Sequence, residues 1–157
     1  MKKLIKWLYE MWWGTMPPPP AKLGEIGHQE LYSILHTVFP NARHIYLGDA
    51  NYDLTTDAEM DRFFAYSPVP YNPYSWDDLD CEKFAIMQMA EFYKWSKGKM
   101  LFLRIIGFDD IRGIPTHGWN LYLNSGGDLR FHDPLGLAGN PDSSIAAYPL
   151  EYVQTIS

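Results

Sequence analysis

A single cysteine, Cys81, stands in 157 residues. One thiol excludes an intrachain disulfide and a cysteine-type zinc site, and it points to a reducing, cytoplasmic compartment. Basic residues are also scarce: 13 Lys and Arg face 19 Asp and Glu, for a net charge of −6. That balance argues against binding a phosphate backbone, so no nucleic-acid partner is expected. Long apolar runs are missing too. The apolar stretch over residues 4–13 is broken by Lys6 and Glu10. It falls short of the roughly 20 residues that span a bilayer, and no small-residue cleavage site follows it. Neither a transmembrane segment nor secretion is expected.

What the chain does have is apolar and aromatic mass. Apolar residues make up 46%, aromatics 16% and charged residues 20%, values of a globular protein whose core and clefts are built from rings. The length suits one domain. Residues 1–24 divide from the rest as an amphipathic arm, with Leu4, Trp7, Leu8, Met11 and Trp12 on one helical stripe, followed by a stiff polyproline spacer at 17–20. The arm either docks on a partner, a second copy or a membrane surface, or packs back on its own domain. The domain proper covers residues 25–157.

Along that domain, the spacing of Ile26, Leu31, Ile34, Leu35, Val38 and Phe39 predicts a helix over 25–39, ended by Pro40. A short strand at 44–47 follows. Asp49-Ala50-Asn51-Tyr52-Asp53 echoes a calcium loop, but Leu54 stands where the turn needs Gly and Met60 where a bidentate Glu belongs. Thr56 and Glu59 instead form a capping box and predict a helix over 57–65. An ordered Pro- and Tyr-rich lead-in runs into a helix opened by Asp80-Cys81-Glu82 and closed near Gly98. It is apolar on most sides, as a buried central helix is. Strands are predicted at 100–108, 117–123, 129–133 and 147–156. A three-residue turn at 125–127 pairs Leu123 with Leu129, Leu121 with Phe131 and Trp119 with Asp133. That register sets His117 and Asp133 as diagonal neighbours; an even-length turn would bring His132 round instead.

A lone Cys on an apolar helix is by itself usually a small buried hydrophobe. The ordered set is more pointed: a thiol in the first turn of a helix, where free N–H groups favour the thiolate; His117 on a strand as base; and Asp133 one hairpin later to orient the imidazole. Asp77, Asp78, Asp80 and Glu82 crowd the thiol. They must be offset by the imidazolium, by capping the helix or by a cation.

These motifs resemble the papain-like and transglutaminase-like cysteine proteases, most closely the C-terminal domain of mushroom (Marasmius-type) agglutinin and its bacterial and phage relatives. There, a D-C-D-D-F-A motif opens the catalytic helix and an H-A-Y-N motif opens the base strand. Here they read Asp80-Cys81-Glu82-Lys83-Phe84-Ala85 and His117-Gly118-Trp119-Asn120. Phe39-Pro40-Asn41-Ala42, the run from Asp49 to Leu54, and Tyr71 also look similar. The resemblance implies an α+β, papain-like fold with a central buried Cys helix packed on an antiparallel sheet. It implies cysteine peptidase chemistry on a peptide or isopeptide bond, with Cys81 as nucleophile, His117 as base and Asp133 in place of the family's Glu. Asn72, Tyr74 and Trp76 would supply an oxyanion donor and cleft wall, with Trp119 and Asn120 beside them. The family's calcium dependence makes Asp77, Asp78 and Asp80 candidate ligands, while Lys83 replaces an acidic residue of the motif. No sugar-binding β-trefoil accompanies the domain. The alternative is an inactive scaffold of the same kind that serves as a binding or accessory protein of the phage type.

Overall fold

A computed structural model describes residues 17–72, 80–98, 100–109, 114–135 and 150–154, with backbone alone at 71, 107–109, 114–117 and 150–154. The expected arm over 4–13 lies outside the described residues, as do Tyr74, Trp76, Asp77 and Asp78.

The architecture is α+β. In chain order it runs β1 (Gly24–Gly27), α1 (His28–Val38), β2 (His44–Tyr46), β3 (Asn51–Leu54), α2 (Asp57–Tyr66), a 3₁₀ turn (Val69–Tyr71), α3 (Cys81–Ser96), β4 (Leu103–Asp109), β5 (Ile114–Leu123), β6 (Leu129–His132) and β7 (Leu150–Gln154). Strands β1 and β3 form a two-stranded antiparallel sheet. The other strands make a five-stranded sheet in the order β2-β7-β4-β5-β6, antiparallel except where β2 lies parallel to β7.

The helix expected from residue 25 starts three residues later. Residues 24–27 pair with Asn51–Leu54 instead, Ile26 opposite Tyr52. Ile26, Tyr52 and Leu54 are buried by that pairing, a long-range gain that outweighs the local helical spacing. Asn51–Leu54, for which the sequence predicts no element of its own, thus becomes β3. Other local signals translate directly. Thr56 caps α2, its hydroxyl accepting the Glu59 N–H at 3.3 Å. Asp80 caps α3, its Oδ1 accepting the Lys83 N–H at 3.1 Å. Lys97 turns left-handed with φ of 59° to end α3, and the Gly98 N–H returns to the Tyr93 carbonyl at 2.8 Å.

The hairpin register is the expected one: Leu123 faces Leu129 and Leu121 faces Phe131, with Asn120 opposite His132. Its turn is held by Asn124, whose Oδ1 accepts the N–H groups of Gly126 and Asp128, both at 2.9 Å.

Among the described residues, two hydrophobic clusters form the core. One joins Leu31, Leu35 and Phe39 of the α1 region to Leu103, Ile105, Trp119, Leu121 and Leu123 of the sheet. The second is aromatic: Phe63 of α2, Phe92 and Trp95 of α3, then Phe102 and Tyr122. Phe63 stacks on Trp95 at 5.2 Å, and Phe92 lies 4.5 Å from Phe102. Helix α3 is central, as expected, but not apolar-buried all round: Ile86 is 39% exposed and Ala90 is exposed. Among the described residues, no helix is long and apolar enough to cross a membrane.

Candidate functional site

The start of α3 lies directly on β5. A Cβ built on Gly118 would sit 2.8 Å from the Glu82 Cα and 3.1 Å from the Cys81 carbonyl oxygen. Real side chains do not reach such distances, so only glycine lets the first turn of α3 touch this strand. The motif His117-Gly118 therefore does bring the β5 backbone against Cys81-Glu82. Cys81 itself is partly buried. The side chain of His117 lies outside the described residues; its backbone pairs with Gly107 of β4.

The remaining expected site residues fall into different settings. The β5–β6 ladder ends at the Asn120–His132 pair, and Asp133 follows directly after β6. Asp133 is only 5% exposed, and its Oδ1 accepts the Leu135 N–H at 2.9 Å, fixing the turn after β6. Trp119 is 1% exposed and belongs to the α1-side core, so it packs where a cleft wall was expected. Asn120 is fully buried. Its Nδ2 donates to the carbonyls of Ala85 on α3, at 2.9 Å, and of Leu103 on β4, at 3.3 Å. It ties helix to sheet. Asn72 spends its amide on the 3₁₀ turn, donating to the Val69 carbonyl at 3.0 Å. Asp80 is engaged as helix cap and in an ion pair with Lys83 at 3.5 Å. Among the described residues, no group of three or more His, Cys, Asp or Glu is placed to hold a metal ion.

A second site went unread in the sequence. An open cleft of about 650 Å³ is lined by Gly27, His28, Gln29 and Glu30 at the start of α1, and by Leu47, Gly48, Asp49 and Ala50 before β3. Its two walls are tied together. The His28 N–H donates to the Ala50 carbonyl at 2.9 Å, and His28 Nδ1 lies 3.1 Å from the Asp49 carbonyl oxygen. The Asp49 N–H donates to the Tyr52 hydroxyl at 2.9 Å. Gly27 caps α1 without any side-chain bond, which leaves N–H groups of the first turn without a side-chain cap. The available signal was the pairing of two Gly-polar steps, Gly27-His28 and Gly48-Asp49. Nothing local said they would meet.

No family model matches the chain, and no curated protein matches it. Solved structures do. A PSL1a–E64 complex is similar with a TM-score of 0.69 and 17% identity, covering 83% of this chain and 50% of that one. The Polyporus squamosus lectin bound to the human-type influenza-binding epitope Neu5Acα2-6Galβ1-4GlcNAc is similar with a TM-score of 0.67 and 17% identity, covering 83% of this chain and 49% of that one. The chain thus spans about half the length of the structures it resembles. At this identity the likeness is one of fold.

The comparison corrects several expectations. The architecture is shared with solved structures that include a Polyporus squamosus lectin. The assignment to a papain-like or transglutaminase-like cysteine protease family does not stand. Nor does the cysteine hydrolase acting on a peptide or isopeptide bond. The physical reason for the misreading is plain. A glycine on a strand facing a helix start is also what close helix–sheet packing requires, and Gly118 serves that packing here.

Proposed function

We propose that this chain is a binding module whose ligand class is an oligosaccharide, taken up in the cleft between the start of α1 and the segment before β3. The observation that carries this reading is the architecture shared with a lectin over 83% of the chain. The chemistry of the cleft supports it. Gln29, Glu30 and Asp49 offer hydrogen-bonding groups suited to sugar hydroxyls, beside N–H groups of the α1 first turn. Tyr46, 52% exposed and adjacent to the lining residue Leu47, stacks on His44 at 5.7 Å and offers an exposed ring of the kind on which a sugar face can pack. The sequence alternative of a binding protein fits this picture better than a peptidase, and a glycan replaces a protein or peptide substrate as the expected partner. A cytoplasmic location rests on the single cysteine alone.

Calorimetric titration with Neu5Acα2-6Galβ1-4GlcNAc and a panel of other glycans tests the reading. Saturable binding that weakens at least tenfold in Asp49→Asn or Glu30→Gln supports it. Absence of binding across the panel at millimolar sugar sinks it.

A second reading has its own observation. Gly118 seats the α3 start against β5 beside the partly buried Cys81, and one similar structure is a complex with E64. Here the small ligand would sit at Cys81. Adding E64 and recording intact mass and heat, for the chain and for Cys81→Ser, separates the two: binding lost on removal of the thiol places the ligand at α3. Calcium, with Asp77 and Asp78 as candidate ligands, is tested by repeating both titrations with calcium and with chelator.

A further inference from the structure

We propose that Trp95 and Arg62 form a polyproline-recognition site, filled in cis by the chain's own prolines at 17–20 and able to take a proline-rich peptide. Trp95, in the last turn of α3, shares its indole N–H between the carbonyls of Pro17, at 3.0 Å, and Pro18, at 3.1 Å. Arg62 of α2 donates from Nη2 to the Pro18 carbonyl at 3.0 Å. Its guanidinium carbon lies 5.9 Å from the centre of the Trp95 ring, and its fork is held by Glu59. Arg62 Nε is buried and finds no acceptor among the described residues. Behind it, Phe63 stacks on Trp95 at 5.2 Å and Phe92 meets the ring edge-on at 5.7 Å, which fixes the direction of the N–H.

The chemistry suits this ligand class. A polyproline II segment makes no internal hydrogen bonds, so its carbonyls are free to be read from outside, and it loses little entropy on binding. Both donors contact main-chain carbonyls, so they recognise the extended conformation and not particular side chains. Any segment that presets that conformation fits.

The segment is also tethered tightly. Pro20 is buried, Lys22 pairs with Asp53 at 2.6 Å, and the Leu23 N–H donates to the Leu54 carbonyl at 2.9 Å. So short a connection gives an effective concentration on the order of millimolar or above. The native chain therefore keeps its own site closed, and an outside peptide enters only when the resident prolines are displaced or altered.

The test uses the full chain with residues 17–20 changed to Gly-Ser-Gly-Ser. The probe is a fluorescently labelled peptide of residues 15–22, read by anisotropy. Saturable binding to this opened chain, at least tenfold tighter than to the native chain and abolished by Trp95→Phe in the opened chain, is the expected result. An opened chain that keeps its native circular dichroism but binds no peptide overturns the proposal and leaves the prolines as a strap. Should the opened chain fail to fold, the double variant Pro17→Gly, Pro18→Gly, which removes the preset extended conformation, replaces it. Peptide binding raised at least tenfold over the native chain supports the site, and unchanged binding overturns it.

Discussion

The two faces of β5 are built on different principles. The odd-numbered face carries Trp119, Leu121 and Leu123, all buried in the cluster that α1 covers. The even-numbered face carries Gly118, Asn120 and Tyr122, and α3 lies on it. The first face is held by apolar contact, which is non-directional and tolerant of small shifts. The second adds to its aromatic packing a glycine contact, two amide hydrogen bonds and a tyrosine anchored on Asp57. Those fix position as well as energy. The apolar face mainly stabilises the domain, and the polar groups of the other face mainly set where the start of α3 lies.

The largest effect should come from the apolar face. Leu121 is fully buried, and Leu121→Ala should lower unfolding free energy by about 2–5 kcal/mol through lost transfer and cavity terms. Chemical denaturation measures it. A loss below about 1 kcal/mol would mean that the two faces do not divide stability and position in this way.

Acid should break the polar face next. His132 pairs with Asn120 across β6, stacks on Phe64 at 3.6 Å, and its Nε2 finds no hydrogen-bond partner among the described residues. Burial pushes its pKa from 6.5 down to about 4, and the neighbouring Asp133 carboxylate only partly counters this. The unfolded chain therefore takes up a proton at His132 near pH 6.5, while the folded chain resists until about 4. The stability from a neutral His132 is complete above pH 6.5 and declines as pH falls to about 4. It amounts to something on the order of 3 kcal/mol. Urea denaturation of the native chain and of His132→Gln from pH 7 to pH 4 isolates this slope from that of the carboxylates. Parallel curves would remove His132 from the account.

These residues also show what the sequence could and could not say. Period-two alternation around a Gly-Gly turn was enough to pair Leu121 with Phe131, because register follows from turn length and one buried face. The cap Thr56 was legible because its bond is made within three residues, whereas capping was only one of the roles open to Asp80. The β1–β3 ladder was not. Ile26 fits helical spacing as well as it fits a strand, and only its distant partner Tyr52 decides. Tyr52 and Leu54 did alternate with polar residues, a strand signal masked by the resemblance of the acidic run to a metal loop. The site was the least legible part. The Gly118 backbone lies against Cys81-Glu82, but short motifs do not distinguish chemistry from tight packing. The cleft between α1 and the segment before β3 depends wholly on tertiary contact.

Gly118 sharpens the comparison further. Gly118→Ala adds one methyl group where the Glu82 Cα would be 2.8 Å away, so the start of α3 must lift from β5. Overpacking of this kind should cost about 1–3 kcal/mol. The more telling measurement is positional: the alkylation rate of Cys81 should change severalfold in Gly118→Ala and stay near the native rate in Leu121→Ala. If both variants change it alike, the faces are not separable.

The smallest effect concerns the anchor at the far end of the polar face. The Tyr122 hydroxyl donates to Asp57 Oδ1 at 3.1 Å, while Asp57 Oδ2 accepts from Asn124 at 3.1 Å and from Arg130 at 3.2 Å. Burial, with the Asp57 charge beside it, pushes the phenol well above its ordinary value, so it stays a donor throughout the accessible pH range. Tyr122→Phe keeps the ring in the aromatic cluster and removes one hydrogen bond to a carboxylate that retains two others. The expected loss is about 1 kcal/mol, with no change in Cys81 alkylation. A loss as large as that of Leu121→Ala would show that the Asp57 network, and not the aromatic packing around Phe63 and Trp95, holds this side of the sheet.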